Sequence, residues 1–223
     1  MGKRFIYLVM ALLFCVTVGT QAEASQAYSK VELVNKKIVN VRNADFALNL
    51  IYPRVEIPHN AVASSKINSV FATEMARREN EYIAKQGSDD ITAMETKYQV
   101  DVNNKKFLIF RIRDYYYAYR AAHPSSGEGS VAFSVRDGRE LTWRDLLSAA
   151  NNKKVNLAAL NAKLNKHPMA ENFFKKPAKL TAFPENYFID TKGELHFLFG
   201  QYELAPYACG FIDVPMGVKI IKG

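Results

Sequence analysis

The run Phe107-Leu108-Ile109-Phe110-Arg111-Ile112-Arg113-Asp114-Tyr115-Tyr116-Tyr117-Ala118-Tyr119 decides how this chain is read. It contains no glycine or proline and is dense in aromatic residues and isoleucine, the composition of a strand. Before it, Asn103-Asn104 makes a turn, and Tyr98, Val100 and Val102 alternate with other residues at the period of two. After it, Val131, Phe133 and Val135 alternate again. Asp137-Gly138 then forms a hairpin turn, since both residues tolerate positive φ. Strands adjacent in sequence and joined by turns predict an antiparallel sheet.

Toward the N-terminus, residues 28–53 read as two strands. Val31 and Leu33 alternate with polar residues, Val39 and Val41 follow, and Phe46, Leu48 and Leu50 line one side of the second strand. Pro53 and Pro58 are expected to close this segment. From about Asn60 to Gln86 the period becomes helical, with Ala63, Ile67, Val70, Phe71, Met75 and Tyr82 on one stripe and Gly87 as the stop. Toward the C-terminus, Thr142 is placed to cap a short helix through Ala149, and Leu157, Leu160 and Leu164 suggest another. Tyr187 to Asp190 and Leu195 to Phe199 flank a Thr191-Lys192-Gly193 hairpin, and Phe211 to Val214 and Val218 to Ile221 read as two last strands. The expected class is α+β: a mainly antiparallel sheet with one long helix and a few short helices packed on it. No repeat, low-complexity tract or Pro/Gly/Ser linker divides it.

The first residues have the three parts of a secretory signal peptide. Lys3 and Arg4 start it, Phe5 to Val18 is an uncharged apolar run, and Ala22-Glu23-Ala24 offers small residues at −3 and −1. Cleavage is expected after Ala24, with Ala22 and Ala27 as neighbouring sites. The apolar run has 14 residues, short of the ~20 needed to span about 30 Å of hydrocarbon. Bulky Phe14 before Cys15 argues against lipid modification. The expectation is a signal peptide over 1–24 and one exported, periplasmic or secreted, soluble domain over 25–223, with no stable membrane insertion after cleavage. A domain of that size buries a core without staples. Cys209 is then the one cysteine left, so no intramolecular disulfide forms, and it reads first as a small apolar residue.

Lys and Arg exceed Asp and Glu by 8 in the whole chain; the first 24 residues hold Lys3, Arg4 and Glu23, which leaves +7 on the mature domain. For an exported protein the polyanions at hand are wall polymers, acidic glycans and lipid head groups, and nucleic acid is not expected. The plainer reading of the charge is solubility.

Catalytic signatures are absent: no His-Glu-x-x-His helix, no Gly-x-Ser-x-Gly elbow, no phosphate-binding glycine loop. His59, His123, His167 and His196 are scattered without metal-ligand spacing, so no metal or cofactor is expected. A Cys209–His196 dyad is conceivable if both fall in one C-terminal sheet. Asp89-Asp90 reads as a solvated turn. The suggestive pattern lies on the opening strand. Arg111, Arg113, Tyr115, Tyr117 and Tyr119 share a face if it is unbroken, and guanidiniums beside tyrosine rings suit carboxylates and sugars. The competing reading is the wet face of an antiparallel sheet, covered by long side chains.

The segment Phe197-Leu198-Phe199-Gly200-Gln201-Tyr202-Glu203-Leu204-Ala205-Pro206-Tyr207-Ala208-Cys209-Gly210 resembles the closing motif of the extracytoplasmic domain shared by RsiV-type anti-sigma factors and PdaC-type peptidoglycan deacetylases. Tyr52-Pro53 with Lys66-Ile67-Asn68 resembles the opening of that domain. Tyr117 to Pro124 followed by Val131 to Leu147 resembles its central hairpin and short helix, so the likeness spans nearly all of the mature chain. Where the family tends to have Gly-Gly-Ala-His, this chain has Arg120-Ala121-Ala122-His123. Losing both glycines bears on any close backbone approach there.

With four residues before the apolar run, no sigma-binding segment is expected, and no deacetylase domain is expected after Gly223. The resemblance therefore implies the sensing or binding module alone, whose relatives bind lysozyme or sit beside peptidoglycan-acting domains. Animal-type lysozymes are basic and would be repelled by a +7 domain at long range, whereas an anionic wall polymer would be attracted. The expected function is non-enzymatic binding of cell-wall material, either peptidoglycan or an anionic wall glycan. Lysozyme binding is the alternative, and an unrecognised hydrolase comes third. The binding face is expected at Arg111, Arg113, Tyr115, Tyr117 and Tyr119 with His123. Tyr202, Glu203, Pro206, Tyr207 and Gly210 are expected to build a rigid corner instead, since Pro206 fixes φ and Gly210 permits positive φ.

Overall fold

A computed structural model describes residues 28–39, 47–85, 93–118 and 120–222. The expected signal peptide, Val41, Phe46, Gly87, Asp89, Asp90 and Tyr119 lie outside the described residues.

A six-stranded sheet runs in chain order through β1 (Lys30–Val39), β2 (Ala47–Glu56), β3 (Ala93–Asn103), β4 (Phe107–Tyr117), β5 (Ser125–Ser134) and the two-residue β6 (Glu140–Leu141). Every neighbouring pair is antiparallel except β2 and β3, which are parallel over Ala47–Ile51 and Ala93–Lys97. The long helix α1 (Ala61–Lys85) intervenes between those two strands, and a crossover of that length returns the chain in the same direction. The expected α+β class holds, with two sheets in place of one. The second sheet is β7 (Tyr187–Ile189), β8 (Glu194–Phe199) and β9 (Ile212–Lys219), all antiparallel. Between the two sheets in sequence come α2 (Ala149–Lys154) and α3 (Leu157–Leu164).

Three layers follow from the parity of β4. Leu108 and Phe110 face α1, in a cluster with Ile67, Phe71, Tyr98, Phe133 and Val135. Phe107 and Ile109 face the other way, into a larger cluster with Leu160 and Leu164 of α3, Ile189, Leu195, Phe197, Phe199 and Ile212. Phe71 is the hub of the helix side, with edge-on contacts to Phe110, Tyr98 and Phe133 at centroid distances of 5.1, 5.2 and 5.4 Å. Of the expected helical stripe, Val70 alone is exposed.

Several local expectations shift. Pro53 does not end β2; it pairs with Leu33 inside the strand. Among the described residues, only β1 pairs with 52–56, so the missing N–H of proline faces an edge that no described strand covers. Asn68 of α1 fills part of that edge, accepting from Val55 N at 2.8 Å and donating to Val55 O at 2.9 Å. That bond gives Lys66-Ile67-Asn68 a structural reason. Val102 leaves the face of Tyr98 and Val100, because a bulge between Val100 and Val102 turns it into the opposite cluster.

Thr142 starts a turn, not a helix: its N–H and hydroxyl both donate to Asp145, at 2.9 and 2.8 Å. The helix begins at Ala149 under a Ser148 cap. The two last strands expected between 211 and 221 are one, β9, bulged at Gly217 (φ +72°), whose N–H donates to Glu194 at 2.9 Å. The Asp137-Gly138 turn is present, and Gly138 is required there. Its φ is +70°, and a Cβ would lie 2.7 Å from the Ala63 carbonyl.

Candidate functional site

The two ends of β4 differ. Near its middle, Arg111 is largely covered by the second sheet, its side chain 14 % exposed. Its guanidinium donates to Asp101 at 2.8 Å and Glu128 at 3.2 Å and lies 4.1 Å above the Phe188 ring. The wet-face expectation fails at Arg111, because the second sheet covers that part of the face. Arg111 neutralises Asp101, whose side chain is fully buried and whose carboxyl burial pushes above its ordinary pKa against the pull of Arg111.

Further along, Arg113 is exposed and 3.4 Å from Glu128, and Tyr115 is exposed opposite Ser126. The Tyr117 hydroxyl donates to Ala121 O at 3.3 Å, holding the connection that leads to His123. Tyr119 lies outside the described residues.

Onto this end folds the turn after β8. Ser126 N donates to Gln201 Oε1 at 3.3 Å, and Gly200 N donates to Glu203 at 2.8 Å, which tightens the turn. Pro206 leads into a single 3-10 turn, Tyr207–Cys209, and Gly210 leaves it at φ +65°. Ala205 is the buried anchor.

Tyr207 is not fully buried in this corner. It is half-buried and stacks flat on His123, with centroids 3.7 Å apart and planes 21° apart. His123 Nε2 is 2.9 Å from the Tyr202 hydroxyl, and its Nδ1 is 3.1 Å from Pro124 O. A carbonyl only accepts, so in the neutral ring Nδ1 carries the proton and Nε2 accepts from Tyr202. The Tyr202 oxygen keeps its lone pairs for solvent or a ligand. Tyr202 and Tyr207 are themselves 5.8 Å apart by centroid.

Two backbone positions in this corner are unusual. Tyr202 has φ +66° and Arg120 has φ +60°. An aromatic residue there costs about 1 kcal/mol that glycine would avoid. Tyr202 nonetheless leaves 56 % of its surface exposed. A strained aromatic that buries little is poorly explained by folding alone. The structure thus brings His123 from one candidate set together with Tyr202 and Tyr207 from the other. Glu203, Pro206 and Gly210 shape the turn.

His196 does not meet Cys209, which packs against the larger core cluster. It lies 2.8 Å from Asp213 through Nδ1 and 3.8 Å from Asp190 through Nε2, and it stacks on Phe188 at 4.5 Å. Burial disfavours the imidazolium, but the Asp213 hydrogen bond and the charges of Asp213, Asp190 and Glu194 outweigh it, so the pKa is raised. A histidine raised above its unfolded value contributes stability that is full below about pH 6.5 and lost as pH rises through the folded-state value. The thermal midpoint should therefore fall as pH rises through that window, and His196→Gln should flatten the fall. A wild-type midpoint that climbs there would contradict the pairing.

Among the described residues, no group of three or more His, Cys, Asp or Glu side chains is arranged to hold a metal. None of the described helices is long and apolar enough to cross a membrane.

Residues 144–218 match the model of a family described as a protein of unknown function (DUF3298), a span that holds α2, α3, the second sheet and the Tyr202–Gly210 corner. Two solved structures share the fold over most of their length. A DUF3298 family member from Bacteroides fragilis is 15 % identical, with a TM-score of 0.57 over 88 % of this chain and 94 % of that one. A DUF3298 family protein from Pseudomonas aeruginosa is 13 % identical, with a TM-score of 0.57 over 84 % of this chain and 89 % of that one. At such identities the likeness is one of fold. No curated protein matches the sequence.

Proposed function

We propose that this is a non-catalytic, exported envelope domain that binds cell-wall glycan at the His123–Tyr202–Tyr207 corner. The observation that carries the reading is Tyr202: exposed, held at φ +66°, and hydrogen-bonded to His123. Sugar rings present apolar C–H faces to aromatic rings and hydroxyls to polar tips, and tyrosine offers both. Tyr115 and Arg113 on the neighbouring strand end widen the surface and add a cation for a carboxylate. The closing segment's resemblance to the RsiV-type and PdaC-type extracytoplasmic domain supports a wall setting, and so does the tripartite N-terminus.

The test is Tyr202→Gly. Glycine relieves the positive φ, so the variant should be as stable as wild type or up to about 1 kcal/mol more stable. It should also lose most of its retention on insoluble peptidoglycan, on the order of tenfold, because a stacked ring is removed. A variant that is less stable yet retained like wild type would make Tyr202 structural and sink the reading.

A further inference from the structure

We propose that the segment Phe173–Leu180 is a docking surface for anionic membrane lipid, bordering the glycan corner at Glu203 and Leu204. Phe173 is buried, but the adjoining Phe174 leaves 58 % of its surface in solvent. This exposure is held in place. Phe174 N donates to Leu204 O at 2.9 Å. Asn165 of α3 clamps both backbone groups of Ala178, at 2.7 and 2.9 Å, and Asn161 does the same for Leu180, at 2.7 and 3.1 Å.

Between these anchors lies an open groove of about 260 Å³. Phe173, Phe174, Ala178, Leu180 and Leu204 form its apolar walls, and Lys175 and Lys179 stand on its rim with Glu203. Glu203 is engaged by Gly200 N. From residue 163 to 180 the chain holds Lys163, Lys166, Lys175, Lys176 and Lys179 against Glu171 as the only carboxylate, which pairs with Lys176 at 3.3 Å.

The occupant follows from charge and polarity together. A soluble polyanion would use the lysines and leave Phe174 without a role. A neutral apolar partner would leave the lysines without one. An interface of acyl chain below and phosphate above uses both: the ring enters the head-group boundary and the ammonium groups meet the phosphates. The surface lies on, and does not span, the bilayer.

The experiment uses the full chain as its host produces it, with vesicles of phosphatidylcholine alone or mixed with phosphatidylglycerol. Phe174→Trp places a probe at the proposed contact; the natural Trp143 packs against Phe183 and Phe197. Emission of this variant should shift to the blue with the mixed vesicles only, and binding should weaken as salt screens the lysines. Phe174→Ser should lower retention about tenfold, as expected when an apolar side chain no longer leaves water. Lys175→Glu with Lys179→Glu should lower it at least as far. All three positions are on the surface, so thermal midpoints serve as the folding control. Equal binding to both vesicle types, or unshifted emission while the chain binds, overturns the proposal. So does tight binding of linear polyphosphate that Phe174→Ser leaves unchanged, which would mark a polyanion face.

Discussion

Phe71→Ala is expected to destabilise the protein by about 3–5 kcal/mol, the usual cost of truncating a fully packed aromatic. Phe71 is 2 % exposed and meets Tyr98, Phe110 and Phe133 edge-on, so its loss opens a cavity whose walls belong to three strands. Strand backbones are held by their ladders and cannot collapse into the gap as a loop would. The same aromatic nest explains why burial pushes the Tyr98 hydroxyl up to about 12. Since marginal domains are stable by only about 5–15 kcal/mol, a loss of this size should appear as a fall of many degrees in thermal midpoint. A loss below about 1 kcal/mol would mean that α1 is not packed on the sheet as described.

The second large effect is expected at Arg78. Its guanidinium is forked onto Asp114 of β4, with one N–H 3.0 Å from Oδ2. It donates to Thr96 of β3 at 2.7 Å and to Glu74 at 2.7 Å. This single side chain ties the middle of α1 to two strands at the polar end of the sheet. Arg78→Ala leaves the Asp114 carboxylate and the buried Thr96 hydroxyl without their cation. Breaking a buried pair costs about 3–5 kcal/mol, but Asp114 is 35 % exposed and water recovers part of that. About 2–3 kcal/mol is expected, from chemical denaturation. Asp114→Asn in the Arg78→Ala background should return some of it, because the uncompensated charge is then gone. An additive double variant would deny the coupling.

The arrangement of strands was legible where neighbours in sequence are neighbours in space. The β3–β4 and β7–β8 hairpins carry their turns in Asn103-Asn104 and Thr191-Lys192-Gly193, and the α1 stripe carries its own period. What escaped depends on partners far along the chain. Val102 changes faces at a bulge where Asp101, left out of the register, accepts from Arg111, a pairing that alternation does not encode. Pro53 sits inside β2 because β3 diverges from that half of the strand, a fact of sheet topology.

The site divides on the same line. Arg113 and Tyr115 lie on an open strand end, as period-two reasoning predicts. Arg111, with the same parity, is covered because a second sheet from residues 187–219 lies over it. The contact between His123 and Tyr202 joins residues 79 apart. The positive φ of Tyr202 has no local signature, since Gln201-Tyr202-Glu203 contains none of the residues that ordinarily mark such a turn. The quoted motif pointed to the corner and His123 was already a candidate, but only the fold brings them together.

Glycan is expected to meet the protein at the His123–Tyr202–Tyr207 corner. Backbone amide shifts of the isotope-labelled protein, followed while soluble peptidoglycan glycan fragments are added, test this directly. Saturable shifts should concentrate at residues 120–126 and 200–210 and reach Tyr115 at the end of β4, leaving α1 unmoved. Saturable shifts centred elsewhere, or none at fragment concentrations that occupy other glycan-binding domains, would contradict it.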